Sequence, residues 1–365
     1  MINQKKAGIL TFHRALNYGA VLQAFALKQM LNAIGFDSCV IDYRSKCIEA
    51  QHFKLSLFRP KHFLKLMYHL KPFSYFAEIS MLAKNLPLFN SFVKEHLDVS
   101  AKCSNAKNIP QDIDLYIIGS DQLWNKDITK GKFNKVYLGN FTHPASSKII
   151  TYAVSANTKS IADCADYLNK ATSNISEISI REASLANVFH EKTGREVRQD
   201  IDPTLLADRT IWTPLLNDNF KDRNYVLVYE VRGKAGYRTK LMDIANRIAK
   251  ENGWEVIKIN QNFRSDKMYS VEDFLSLFND AQLVLTSSFH GTAFSLIFHK
   301  TFYTFTLNDG SDARYVDILN AVGLSSRIKP VEDDVTEISP VDYTIADKRW
   351  EELRTRSLNY LKKYL

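Results

Sequence analysis

The sequence predicts an α/β protein of two Rossmann-like, doubly wound domains facing a cleft, the first carrying a helical insertion. Three observations carry this. Short apolar runs of strand length alternate with stretches whose apolar residues recur at helical spacing. That alternation passes through the chain twice, as expected for parallel sheets covered by helices. An irregular stretch at 207–224, holding Pro214, Asp208, Asp218 and Asp222, separates the two passes. The expected domains are 1–206, with the insertion at 44–100, then 207–342, then a terminal helix at 343–365.

Residues 6–12 (KAGILTF) read as a first buried strand. A loop leads to a helix through Val21, Leu22, Phe25, Leu27, Met30 and Leu31, which Gly35 would end. Residues 38–43 (SCVIDY) read as the next strand. Gly19 is a lone glycine at the helix start, so a GxGxxG dinucleotide fingerprint is absent. Asn17-Tyr18-Gly19 reads either as a turn that binds an anion or a sugar, or as a purely structural turn. Residues 44–100 change character, with Phe, Lys, His and Leu abundant, and read as inserted helix. Their plainer reading is a solvated helix face covering the sheet. The sharper one is a basic, aromatic surface, Phe89 and Phe92 included, that meets an anionic lipid-linked acceptor at a membrane.

Residues 114–118 form a clear strand that ends in Gly119-Ser120-Asp121. A carboxylate at a strand's C-terminal end suits acid/base work or a substrate hydroxyl; capping the next turn is the alternative. Strands follow at 148–155 and 177–180, and helical spacing at 160–171 and 185–194. Arg181 stands where the second of these helices begins. A cation is unfavourable there, so Arg181 reads as a ligand for an anion or as the partner of Glu182.

The second pass has strands at 225–231 and 255–259 and a helix at 240–250 between them. Ser270 opens another helix with a capping-box pattern. Then comes the stretch around which the chemistry is organised. AQLVL (281–285) is a strand, TSSFHG (286–291) a turn, and 292–298 a short helix. A helix start offers unpaired N–H groups and the positive end of the dipole, which favour phosphate or carboxylate. Ser288 lies beside it, and Gly291 would let the backbone approach a ligand. His290 would stand at the mouth, able to donate to an anion or hand over a proton near neutral pH; the plainer reading is a half-buried histidine in a capped helix. A strand at 301–305 and a helix opened by Ser311-Asp312-Ala313-Arg314 complete the pass. Asn17–Gly19, Asp121, Arg181, His290 and Arg314 all follow predicted strands, where such sheets bind ligands.

Hydrophobic residues at 45% with 24% charged describe a globular chain. The net charge of +8 suits anionic substrates or an anionic membrane surface. No zinc finger, RNP-like motif or Lys/Arg-rich block points to nucleic acid. The four cysteines show no CxxC pair or metal-ligand spacing and read as reduced thiols, and no metal is called for. Without an apolar leader or a run of about 18 apolar residues, the expected location is the cytoplasm, extending to the inner face of the membrane.

Seven stretches in order carry a resemblance: FHRALNYGAVLQAFAL (12–27), IIGSDQLWN (117–125), ITYAVSAN (150–157), ISIREAS (178–184), DIDPTLL (200–206), SSFHGTAFSLIFHK (287–300) and DAR (312–314). Together they resemble the polysaccharide pyruvyl transferase family. The resemblance implies a GT-B-like fold. It also implies transfer of the enolpyruvyl carbons of phosphoenolpyruvate onto two hydroxyls of a sugar, giving a pyruvate ketal and phosphate. Phosphoenolpyruvate would be the donor substrate, with no cofactor required, and the partner a glycan acceptor, lipid-linked or part of a surface or capsular polysaccharide. On this reading His290 is proton donor or phosphate ligand, and Asp121 is base or hydroxyl anchor. Arg181, Arg314, Ser288, Gly291, Asn17, Tyr18 and Gly19 would bind substrate. Relatives often carry Arg-Leu-His-Gly where this chain has Ser288-Phe289-His290-Gly291, so anion contacts fall to Arg181 or Arg314. Two alternatives share the fold: a glycosyltransferase using a nucleotide sugar, and a non-catalytic binding protein.

Overall fold

The computed structural model describes residues 4–45, 72–129, 131–230, 235–259, 266, 268–308 and 312–365. The chain divides into two compact units between Gln199 and Asp200; Asn262–Met268 and Tyr364–Leu365 return to the first.

The first unit opens with β1 (Lys6–Leu10), α1 (Tyr18–Ile34) and β2 (Asp37–Val40), then α2 (Pro72–His96) and β3 (Leu115–Ile118). It continues through β4 (Lys148–Thr151), α3 (Thr158–Ala162), α4 (Ala165–Ala171), β5 (Ile178–Ile180), α5 (Ala183–Thr193) and β6 (Val197–Gln199). Its sheet has the order β2-β1-β3-β4, every pair parallel. β5 and β6 pair beside it, tied on by the bridges Ile150↔Glu177 and Val154↔Ile180. A parallel strand covered on both faces must be apolar throughout, which is why Leu115–Ile118 is a continuous buried run.

The described part of the helical segment expected at 44–100 is dominated by α2, which stands between β2 and β3 in the chain. β2 and β3 lie on opposite sides of β1, and a connection between parallel strands is long and usually helical; α2 lies within it. Residues 46–71 lie outside the described residues. Phe89 and Phe92 do not form an exposed surface: they are 2% and 0% exposed. Their rings pack on Tyr18 and Phe25 of α1 at 5.1 and 5.7 Å. Composition marked this stretch as aromatic but could not say which side these rings faced. Among the described residues no helix is long and apolar enough to cross a membrane.

The second unit begins with α6 (Pro203–Leu206) and α7 (Arg209–Trp212). There follow β7 (Tyr225–Tyr229), α8 (Ala235–Asn252), β8 (Glu255–Ile259), α9 (Val271–Asp280), β9 (Leu283–Thr286) and α10 (Phe289–Ile297). It closes with β10 (Phe302–Thr306), α11 (Ala313–Ala321), β11 (Ile328–Pro330) and α12 (Thr344–Lys362). The sheet order is β11-β10-β9-β7-β8, again all parallel. In both sheets the second strand lies on one side of the first and the third on the other. Each therefore has a topological switch point, where doubly wound sheets bind ligands.

The boundary falls earlier than expected, and residues 343–365 are not a separate body. DIDPTLL belongs to the second unit because Pro203–Leu206 is a helical turn to which α12 is bonded. Trp350 Nε1 donates to Leu205 O at 2.7 Å, and Arg354 Nε to Leu206 O at 3.0 Å.

Candidate functional site

At the switch point of the second unit, β7 and β9 run side by side and end together. Thr286 Oγ1 donates to Tyr229 O at 2.6 Å and accepts from Ser288 N at 3.1 Å. Ser288 is the N-cap of α10 and accepts from Gly291 N. The sequence-based reading gave Gly291 to a ligand; the structure gives it to packing. A Cβ there would stand 2.1 Å from Thr286 Oγ1 and 3.0 Å from Tyr229 Cδ1, closer than real contacts allow. Only glycine lets the first turn of α10 lie this close to the strand ends. Ser288 likewise has a structural task, the cap.

His290, the second residue of α10, keeps 13% of its side chain exposed. Its Nε2 lies 4.0 Å from Oδ1 of Asp202, whose side chain is fully buried. Asp202 caps α6, its Oδ1 accepting from Thr204 N at 3.0 Å and Thr204 Oγ1 at 2.8 Å. At the end of β7, the buried Glu230 carboxylate pairs with Lys258 Nζ at 3.5 Å. Arg314 is half-buried in the first turn of α11. Asp312 before it accepts from Leu307 N and Asn308 N, at 3.1 and 2.8 Å, and so closes the preceding turn. His290, Ser288, Gly291 and Arg314 are thus all residues of the second unit.

Asn17, Tyr18, Gly19, Asp121 and Arg181 are residues of the first unit. Asp121 follows β3 with φ +73°, a left-handed conformation that costs a non-glycine residue about 1–3 kcal/mol and clusters at functional sites. Its Oδ1 accepts from Gln122 N at 2.8 Å, and the side chain is half-buried. Behind it a buried network closes the switch point: Gln23 Nε2 donates to Thr11 Oγ1 and Thr11 Oγ1 to Ser120 O, at 2.7 and 3.1 Å. Gly119 is held there by the close approach of Tyr152 O, 2.1 Å from where a Cβ would lie.

Arg181 is 5% exposed and its Nε donates to Glu182 Oε1 at 2.9 Å. Ser155 Oγ donates to the same oxygen. The pairing weighed from sequence is therefore present, and it orients the guanidinium. Asn17 is the N-cap of α1, accepting from Ala20 N at 3.2 Å. Tyr18 is fully buried on Phe89, so of the two readings of this turn the structural one accounts for its side chains.

Sequence reasoning missed two groups. Asp202 carries the Asp-Pro-Thr signal of a capped turn, but its nearness to His290 is long-range. His13 and Asp42 form a buried pair, Nε2 to Oδ1 at 3.1 Å, with Arg44 bidentate on the same carboxylate at 2.7–3.1 Å. Burial opposes the charge on Asp42, but the hydrogen bonds from His13 and Arg44 outweigh it and hold the carboxyl well below its usual range. Burial also pushes the Cys103 thiol up to about 11, so it is no thiolate nucleophile. Among the described residues no cluster of three or more His, Cys, Asp or Glu is placed to hold a metal ion.

No curated protein sequence matches the chain. Several solved structures are similar to it at low identity. The UDP-GlcNAc 2-epimerase of Methanocaldococcus jannaschii shares 12% identity over 95% of this chain and 92% of its own, with a TM-score of 0.47. The E. coli heptosyltransferase WaaC, solved with ADP, shares 10% over 95% and 99%, with a TM-score of 0.40. Arabidopsis thaliana UGT89C1 shares 12% over 99% and 94%, with a TM-score of 0.41. Residues 17–309, from the cap of α1 past the end of β10 and including His290, match the family described as polysaccharide pyruvyl transferase, and the chain belongs to that family.

Proposed function

We propose that this protein transfers the enolpyruvyl group of phosphoenolpyruvate to two hydroxyls of a sugar. The sugar belongs to a surface or capsular polysaccharide or its lipid-linked precursor, and the products are a pyruvate ketal and phosphate. The observation that carries the reading is the family match over residues 17–309. The chemistry of the candidate residues supports it. Phosphoenolpyruvate packs a phosphate and a carboxylate into a small volume and calls for fixed cations and N–H donors. Arg181, Arg314 and the start of α10 are groups of those kinds.

The reaction balances without a resident cofactor. His290, as an imidazolium, gives a proton to the methylene carbon, which becomes a methyl group and leaves C2 electrophilic. The first sugar hydroxyl adds to C2 and loses its proton to Asp121. Phosphate then departs with the C2–O electron pair and takes up the proton from Asp121; the second hydroxyl adds to C2 and closes the ketal, its proton restoring the His290 imidazolium. Both proton-transfer roles are of the general acid–base kind. Phosphate release from phosphoenolpyruvate, measured against a panel of lipid-linked sugars, tests this. Release dependent on one acceptor, with a product heavier by one pyruvate ketal, is expected; no release with any acceptor would overturn it.

A further inference from the structure

Asp202 has a task beyond capping. A buried carboxylate is costly unless it is compensated. Here the side chain is fully buried, and Oδ1 accepts from both Thr204 N and Thr204 Oγ1. A cap needs only an acceptor, and Ser or Asn serves as well without a charge to desolvate. That same oxygen stands 4.0 Å from His290 Nε2, an ion-pair distance beyond hydrogen-bond range. The carboxylate cannot swing away, because Thr204 fixes it from two donors and Pro203 sets the backbone at the first helical position.

We propose that Asp202 is the positioning residue of His290, turning Nε2 toward the protein interior and holding the ring in its protonated form for proton delivery to substrate. The role in catalysis rests on the pyruvyl-transfer reading; the coupling between the two side chains does not. In the forward step the imidazolium loses its proton to the substrate carbon, while Asp202 stays ionised and unchanged.

Charged groups on the described elements around α10 stay in place when Asp202 is replaced. α10 packs chiefly against α6, α9, α11, β9 and β10. β9 (LVLT) and β10 (FYTFT) carry no charge. Glu272 and Asp273 start α9, and Asp312 and Arg314 start α11; all four persist in an Asp202 variant. Phe289 meets the imidazole edge-on at 5.1 Å and is neutral. A difference between wild type and variant therefore reports Asp202.

The test is an NMR titration of the full chain with labelled histidine, the His290 resonance being assigned by its loss in His290→Gln. An opposite charge within about 4–6 Å raises a histidine's pKa by roughly 1–3 units. Wild-type His290 should therefore titrate above the ordinary imidazole value of about 6.5. In Asp202→Asn and Asp202→Ser, which both retain a capping oxygen, the midpoint should fall by about one unit or more. In turnover assays, the limb that declines as pH rises should move down by the same amount. A wild-type midpoint at or below the ordinary value, or an unmoved midpoint in a folded variant, overturns the proposal. A midpoint that moves while wild type releases no phosphate from phosphoenolpyruvate keeps the coupling and removes the transfer reading instead.

Discussion

His290 and Asp121 are asked to move protons, and neither is needed to hold a core together. His290 sits at a helix start with part of its ring exposed, and Asp121 lies half-buried in a turn. His290→Ala should leave the protein folded and lower turnover by about 10²–10⁴-fold, with Asp121→Asn acting in the same direction. Phosphate release at saturating donor measures both; near-wild-type turnover in either variant removes that residue from the mechanism. Asp42 is the opposite case, a charge that serves structure. Its folded carboxyl is held below the usual range despite burial, by hydrogen bonds from His13 and Arg44. A depressed folded value contributes stability above the unfolded value of about 3.9, and that stability is lost as pH falls through and below it. Asp42→Asn should therefore cost about 3 kcal/mol near neutral pH, the scale for breaking a buried pair. The gap to wild type should close as urea unfolding is repeated below about pH 4; a gap that does not change with pH would show that the charge is irrelevant.

Elements were more legible than their ends or their neighbours. The strand–turn–helix at 281–298 could be read because its strand is short and apolar, its cap is a serine and its helix is apolar on several faces. β9 lies where the pattern put it, while α10 begins at Phe289, three residues earlier than expected, because Ser288 caps it and draws His290 and Gly291 into its first turn. The Ser270 cap was readable for the same local reason, its Oγ accepting from Asp273 N at 2.9 Å. α6 escaped because four residues carry too little periodicity to register, although Asp202 and Pro203 spell a helix start. That miss displaced the domain boundary and left α12 without a berth. Trp350 and Arg354 supply donors to the carbonyls of Leu205 and Leu206, orphaned at the end of α6. Trp350→Ala should cost roughly 1–3 kcal/mol, from lost half-buried ring area and one stranded carbonyl. Urea unfolding checks it, and a loss below about 0.5 kcal/mol, the scale of an ordinary surface change, would mean that α12 is held by other contacts.

At the scale of the whole molecule, the double pass of α/β alternation was legible because both sheets are parallel and buried, which forces continuous apolar strands. Strand order was not, since nothing local tells β3 to lie beside β1 and not beside β2. Of the candidate site, residue types at strand ends were visible, and so was Glu182 beside Arg181, while Asp202 beside His290 belonged to the fold. What the molecule as a whole binds can be separated by charge and size. Phosphoenolpyruvate offers two anionic groups and almost nothing else, so its binding should weaken as salt rises. A nucleoside diphosphate needs contacts to base and ribose as well. At about 100 times its Kd a ligand adds about 2.7 kcal/mol of stability, which for units of this size raises the melting temperature by roughly 5–10 °C. Phosphoenolpyruvate should produce that rise at low ionic strength and a smaller one at about 0.5 M salt, where charge interactions are screened within a few ångströms. UDP and UDP-GlcNAc should leave the transition where it was. The reverse pattern, stabilisation by the nucleotides and none by phosphoenolpyruvate, would assign the strand-end groups to a sugar nucleotide and end the pyruvyl-transfer reading.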